Sequence, residues 1–409
     1  MLRQRKIIFI ITAIVSFVIG FISCINTGKE APADVRGDQY AGAAACVSCH
    51  QNLYDSYLHT AHYNTSHLAT DSGILGKFFP PGNEFFYNDS MKVTMSKKGN
   101  QFFETAYING KETESHSIDI IIGSGGKAQT FLYHKNDEIY QLPISYFAPA
   151  SGWANSPGFP ANHISFARNI SSSCFGCHAS AANVKLVKTG SLSMSEKYLP
   201  GQMLLRIDCE RCHGPAREHV AYQTSHPKDQ EAKYIALIGK LTRQQKMDMC
   251  GVCHSGIQKS IQPVFNFKPG DVLDDYYYPD VAPLATTHMD VHGTQTQLLI
   301  ASQCYQRSNT LTCMNCHDSH KKERDQLEVF SQRCMTCHSE ANHNFCALKN
   351  VGREKMQANC IDCHMPAKPS KVITLLTRMK ENPLPDYIRT HLIAVYPDET
   401  QKVLHYLNH

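Results

Sequence analysis

Seven times in 409 residues the chain repeats one short pattern, two cysteines three positions apart followed at once by a histidine. The copies, numbered here one to seven, are Cys46-Cys49-His50, Cys174-Cys177-His178, Cys209-Cys212-His213, Cys250-Cys253-His254, Cys313-Cys316-His317, Cys334-Cys337-His338 and Cys360-Cys363-His364. Two thiols at that spacing span one edge of a porphyrin and bond to its vinyl groups, while the adjoining imidazole reaches under the metal. This is the attachment chemistry of c-type haem. Chance would supply only roughly a few hundredths of a copy in a chain of this composition. Zinc rivals that reading for a lone copy, but it needs a second ligand pair at a defined spacing. Here the gaps run irregularly, from about 20 residues to well over 100.

What such irons do depends on the opposite axial position. A second histidine closes the iron and suits it to passing electrons, whereas an open position admits a small substrate. Fifteen histidines lie outside the seven copies. His320, three residues past His317, is too near to reach round to the same iron and is expected to serve a neighbour. His219 follows the third copy on what reads as a short helix after Gly214-Pro215. His62, His343 and His391 are further candidates. His288 and His292 stand four apart, as in a one-face helical pair, and His292 is the one chosen. His62, His219, His292, His320, His343 and His391 thus supply six opposite ligands for seven irons. His163, His67, His116 and His134 are weaker candidates, and His226, His405 and His409 read as surface residues. Of the three cysteines outside the motifs, Cys304 and Cys346 read either as a disulfide or as thiols, and Cys24 belongs to the N-terminus.

Seven haems leave roughly 55 residues for each, too few to wrap every one in a fold of its own. The porphyrins are therefore expected to form much of the core. Arg3, Arg5 and Lys6 precede an apolar run from Ile7 to Ser23, the layout of an export signal over residues 1–23. It ends in Phe21-Ile22-Ser23-Cys24, which looks like a bacterial lipobox with Phe21 where leucine is usual. Cleavage there leaves Cys24 lipidated. The alternative is a retained anchor, short for a membrane span. Either one tethers the protein to a membrane outside the cytoplasm, periplasmic or at the cell surface, where haem is covalently attached. Residues 24–39 read as a polar, lipid-anchored linker. Losing the signal removes three positive charges from a formal net of +4, and the haem propionates make the balance mildly acidic. That points away from a nucleic-acid partner.

Residues 40–84 carry the first haem segment. Over 85–147 the pattern changes to short runs rich in β-branched and aromatic residues, separated by turn chemistry, within an insertion spanning 85–150. This predicts a β-meander of about five strands. Gly123-Ser124-Gly125-Gly126 sits between two such runs with no helix behind it, so it reads as a hairpin turn rather than a phosphate cradle. Residues 151–409 make the multihaem domain, with haems two to seven, and helices and loops without long strands are expected as far as residue 364. Asp229–Lys240 and Thr242–Met249 read as helices capped by Asp229 and Thr242. The tail beyond Pro369 is expected to lie across the surface. The expected fold class is mainly α and irregular, a multihaem cytochrome c with a haem-packed core and an inserted β-meander.

The order of these features resembles the superfamily of bacterial multihaem cytochromes that includes the tetrahaem carrier of hydroxylamine oxidation. The octahaem hydroxylamine and tetrathionate enzymes and pentahaem nitrite reductase also belong to it. The matching pieces are YAGAAACVSCH with His62 downstream, CERCHGPAREH ending at His219, SQCYQRSNTLTCMNCHDSH ending at His320, and CIDCHMP followed by His391. The resemblance implies closely stacked haem pairs with two histidines on each iron, drawn from these residues. Every copy here ends in histidine, so the Cys-x-x-Cys-Lys haem of nitrite reductases is missing. Tyr276-Tyr277-Tyr278 resembles the cross-linking tyrosine of hydroxylamine oxidoreductase in residue type alone. The expected function is electron carriage along seven covalently bound haems, exchanged with quinol-linked or periplasmic donors and other cytochromes. The alternatives are a reductase or oxidase of a small nitrogen or sulfur compound at one open iron, or a structural subunit of a respiratory complex. No catalytic residue is assigned.

Overall fold

The computed structural model describes residues 34–278, 289–342, 344–348, 352–377 and 382–408. The export signal, Cys24, His288, His343 and His409 lie outside them. Among the described residues no helix is long and apolar enough to cross a membrane.

Alternating apolar positions between residues 66 and 169 build two antiparallel sheets. One holds β2 (Glu84–Phe86), β3 (Met91–Lys98), β4 (Gln101–Ile108) and β5 (Lys111–Ile118) in that order. The other runs β1 (Ser66–Leu68), β6 (Ile120–Ile122), β7 (Ala128–Lys135), β8 (Glu138–Phe147) and β10 (Arg168–Asn169), with β9 (Gly152–Asn155) also paired to β8. Val93 and Met95 from the first sheet share one buried cluster with Ile121, Phe131, Leu142, Ile144 and Trp153 from the second. Each such side chain contributes roughly 1.5–3 kcal/mol by leaving water. On its other face the second sheet buries Ile120, Leu132 and Ile139 against Phe175 of the second motif and against Ala179, Ala182 and Tyr198. The sandwich is thus a wall for the part of the chain that carries the second motif.

The predicted meander is part of this two-sheet sandwich, whose strands start earlier and end later than the predicted span. β5 carries almost no apolar alternation because it is an edge strand paired only with β4, where charged side chains discourage further pairing. Gly123 opens the turn between β6 and β7 with φ +107, and a side chain there would meet the carbonyl oxygen of Ala128.

Past residue 170 the structure corrects the expectation of a mainly α chain without long strands. β11 (Ala179–Lys188) pairs with β12 (Met194–Leu205), and β13 (Ala367–Leu375) with β14 (Leu384–Arg389). The alanines opening β11 favour helix on their own, but burial of Ala179 and Ala182 against the second sheet overrides that preference. The tail is accordingly a hairpin followed by the helix Pro397–Asn408. Asp229–Lys240 is not a helix, and only Ile238–Lys240 makes a tight turn. The Asp229 carboxylate accepts from the Tyr222 hydroxyl at 2.7 Å and pairs with Lys233 at 3.0 Å, while Tyr234 at φ +57 breaks helical phase. Thr242 does cap a helix. Its hydroxyl accepts from Gln245 N at 3.2 Å, the Gln245 side chain accepts from Thr242 N at 3.0 Å, and Arg243–His254 runs directly into the fourth motif. The fold mixes helices with several sheets.

One carboxyl group in the sandwich is fully buried. Glu104 on β4 accepts a hydrogen bond from Ile144 N at 3.1 Å through one oxygen, and burial raises its pKa well above the ordinary 4.5. An acid with a raised folded-state pKa keeps its proton where the unfolded chain has released it. Its folded form is therefore most favoured below the unfolded value and loses stability as pH rises toward the folded value. The thermal midpoint of the sandwich, followed by circular dichroism, is expected to fall between pH 5 and pH 8, and Glu104→Gln is expected to flatten that fall. Parallel slopes in the two proteins would contradict this.

Candidate functional site

The motifs are wound on short helical turns. The third is the helix Cys209–His213, the seventh is Cys360–His364, and the fourth closes Arg243–His254. In the fifth and sixth, His317 N donates to Cys313 O and His338 N to Cys334 O, both at 2.9 Å. That four-residue step puts the first thiol and the imidazole on one face. At His50 the backbone leaves helical geometry within Val47–Tyr57 (φ −118, ψ 34).

Histidines from distant segments meet in pairs, two with near-parallel rings (26° and 23°) and one, His62 with His254, nearly perpendicular (81°). The ring centroids of His213 and His320 lie 5.8 Å apart, those of His317 and His391 6.1 Å, and those of His62 and His254 6.2 Å. Each pair joins a motif histidine to one outside the motifs. A metal held by both nitrogens at roughly 2.0–2.1 Å would set two imidazole centroids about 6 Å apart. His320 faces the third motif rather than His317 of its own. His292 is within electrostatic reach of His178 and His254, and His219 and His50 are within reach of His213.

Five other histidines among the described residues are engaged elsewhere. His116 stacks on Tyr133 at 3.9 Å, and His134 pairs with Asp119 at 3.1 Å, both on the sandwich. His67 lies on β1 beside Leu68 O at 3.1 Å, His163 is beside Asn162 Oδ1 at 2.9 Å, and His226 stacks on Tyr222 at 4.3 Å. Among the described residues no three His, Cys, Asp or Glu groups converge, as tetrahedral zinc requires. Thiol pairs with facing imidazoles fit haem c instead.

Burial is the leading cause that lowers the pKa of His62 and of His391, each to about 4, with the charge of His254 beside the first and of His317 beside the second. Burial also lowers His178, His213, His254, His292 and His317. The rings of His62, His254, His292 and His317 nevertheless keep open surface. Protein crowds these imidazoles enough to hold them neutral without sealing them, and the neutral ring is the ligating form. Their other nitrogens are oriented as well. Nδ1 of His338 lies 3.1 Å from Asn344 O, Nδ1 of His364 2.8 Å from Ala394 O, and Nδ1 of His219 2.8 Å from Lys233 O. A carbonyl only accepts, so Nδ1 carries the proton and Nε2 keeps its lone pair for a metal. Thr65 Oγ1 sits 2.9 Å from Nδ1 of His178, a role that no pattern in the sequence marks.

Thiols of different motifs adjoin. Cys46 is in side-chain contact with Cys209, Cys177 with Cys253, and Cys250 with Cys313. Cys212 feels the charge of Cys253, Cys316 that of Cys337, and Cys334 that of Cys360. The motifs therefore adjoin in the order one, three, four, five, six, seven, with the second beside the fourth. Cys304 and Cys346 are free thiols, the first near Cys316 and Cys334, the second near Cys360 and Cys363.

A buried ionic knot sets the first motif against the third. The Arg36 guanidinium donates to Asp34 at 2.8 Å, to Asp208 at 2.7 Å and to Glu210 at 3.1 Å. Glu210, inside the third motif, also accepts from Ala41 N, Gly42 N and Ala216 N at 2.8–2.9 Å. Removing either partner would strand buried charge, which is why such knots hold segments in register.

Comparison with known proteins bears on the same region. The sequence profile of the family described as cytochrome c554 and c-prime matches residues 161–214, which contain the second and third motifs. The crystal structure of the outer cell wall cytochrome OcwA superposes with a TM-score of 0.50 at 16% identity, covering 89% of this chain and 82% of that one. The fold is cytochrome-like. A comparison with curated proteins finds no match.

In the ferric protein, His62→Ala is expected to convert one low-spin iron to high spin in the electron paramagnetic resonance spectrum. His116→Ala, on the sandwich, is expected to change nothing. A low-spin count unaltered by His62→Ala would contradict the pairing.

Proposed function

We propose that the chain is a membrane-tethered, extracytoplasmic heptahaem cytochrome that carries electrons. The observation that carries this reading is the set of three imidazole pairs at 5.8–6.2 Å, because two histidines on one iron close it to substrate. The paired thiols of Cys46 and Cys49, and of the six corresponding pairs, would hold the haems, with His50, His178, His213, His254, His317, His338 and His364 as proximal ligands. His62, His320 and His391 would close the irons of His254, His213 and His317, and His219, His292 and His343 would serve others. Haem c bound there would supply reversible one-electron exchange between ferric and ferrous iron.

The protein's own contribution is to orient, crowd and order these ligands. Carbonyls of Asn344, Ala394 and Lys233 fix ring tautomers, burial keeps the imidazoles neutral, and the Arg36 knot locks two motifs together. The series of adjoining thiols makes the first and seventh motifs the ends of the array, with the second as a side branch. Redox proteins, quinol-linked or other cytochromes, would meet it at those ends. An export signal with Cys24 as lipid attachment supports a membrane tether, and the outer cell wall setting named for the matched cytochrome agrees with a position outside the cytoplasm.

With six opposite histidines proposed for seven irons, adding cyanide, nitrite or hydroxylamine to the ferric protein is expected to shift the absorption of at most one haem, with no catalytic consumption of nitrite or hydroxylamine in the presence of an electron donor. Shifts at several haems, or sustained consumption of either compound, would replace the carrier with an enzyme acting at an open iron.

A further inference from the structure

The β11–β12 hairpin is pinned along β12 as far out as Ser195, which lies opposite Val187, and Glu196, opposite Leu186, accepts from Ser172. Tyr198 packs with Phe175, and Ser195 and Lys197 bond to Glu138 at 2.6 and 2.9 Å. Beyond Ser195 only the Lys188–Met194 pair precedes a turn closed by Thr189 N donating to Ser193 O at 3.0 Å. Leu192 in that turn is fully exposed, and Leu186 and Met194 are 60% and 58% exposed. Lys185 and Lys188 are exposed beside them, and no acidic residue occurs between 184 and 195. Large apolar tips flanked by lysine are costly in water, but they suit the boundary between lipid headgroups and acyl chains.

The N-terminal segment fixes where that boundary lies. Asn183 Nδ2 on β11 donates to Val35 O at 3.0 Å and to the Gln202 side chain at 3.1 Å. The chain thus leaves the body on the flank of this hairpin, eleven positions after Cys24. Eleven residues reach at most about 38 Å, while the strand from Asn183 to the turn rises about 20 Å. A lipid at Cys24 and the hairpin tip can therefore touch one surface.

We infer that the tip at Leu186, Leu192 and Met194 is a second membrane contact, dipping into an anionic phospholipid bilayer that the N-terminus also holds. This rests on the reading of the N-terminus as a membrane anchor. Two attachment points, one at Cys24 and one on a paired hairpin, would set the orientation of the haem array to the membrane as well as its distance from it.

The test uses the full-length holoprotein in vesicles of phosphatidylglycerol and phosphatidylethanolamine, digested briefly with trypsin and read by mass spectrometry. Cleavage after Lys185 and Lys188 is expected to be about tenfold slower in the wild type than in Leu192→Asp/Met194→Asp, with both proteins sedimenting with the vesicles. Equal cleavage in sedimenting proteins overturns the second contact and leaves the anchor standing. Protein that does not sediment overturns the anchor and this inference with it. Protection that rises with protein density at constant lipid assigns the tip to a second copy and likewise overturns it.

Discussion

Pairs of imidazoles brought to within 5.8–6.2 Å of each other from distant segments impose the strongest constraint on this fold. His62 and His254, His213 and His320, and His317 and His391 each bring together segments far apart in the chain. A helical turn can place the motif histidine, but it cannot place the opposite one. The opposite histidines come from a loop after the first helix, from the residues just past the fifth motif, and from the stretch beyond β14. Packing around the motifs must deliver each to within a few ångström. Motif residues pack against ordinary side chains, Phe175 under the second sheet and Val252 among Phe267, Tyr276 and Tyr277. The protein supplies walls and struts.

The β sandwich fits that division of labour. It has a complete core of its own, and it offers one sheet face to the second motif and to the base of the long hairpin. The second motif is also the one that adjoins the array from the side, through Cys177 and Cys253. A rigid wall at the branch and an ionic knot at the first motif hold two neighbouring parts of the series by different means, one apolar and one charged. The tyrosines 276 and 277 belong to this support. Tyr277 donates to Val252 O inside the fourth motif and Tyr276 to Asp271, so their hydroxyls are spent on backbone and carboxylate partners.

The legible part of the sequence is the part written by covalent chemistry. Thiol spacing and the adjoining imidazole follow from porphyrin dimensions, so they survive any change of surrounding fold. His320 could be assigned to another motif from reach alone, but which motif it faces depends on tertiary packing that no local pattern encodes. The same holds for Thr65 beside His178 and for the carbonyls behind His338 and His364, since backbone oxygens have no residue signature. Strands were legible where both sheets bury alternate residues, as in β3, β4 and β7. They were lost where an edge strand is polar, as in β5, or where alanines favourable to helix open a buried strand, as in β11. Asp229 illustrates the reverse error, a cap-like residue whose carboxylate is taken by Tyr222 and Lys233.

The central claim is that seven thiol pairs each fasten one haem to this chain. Intact-mass spectrometry of the denatured protein, purified from a host able to attach c-type haem, tests it most directly, because thioether bonds survive unfolding. The expected result is a single species heavier than the processed polypeptide by seven haem groups. A polypeptide with fewer, or one whose metal is zinc released on unfolding, would contradict the account.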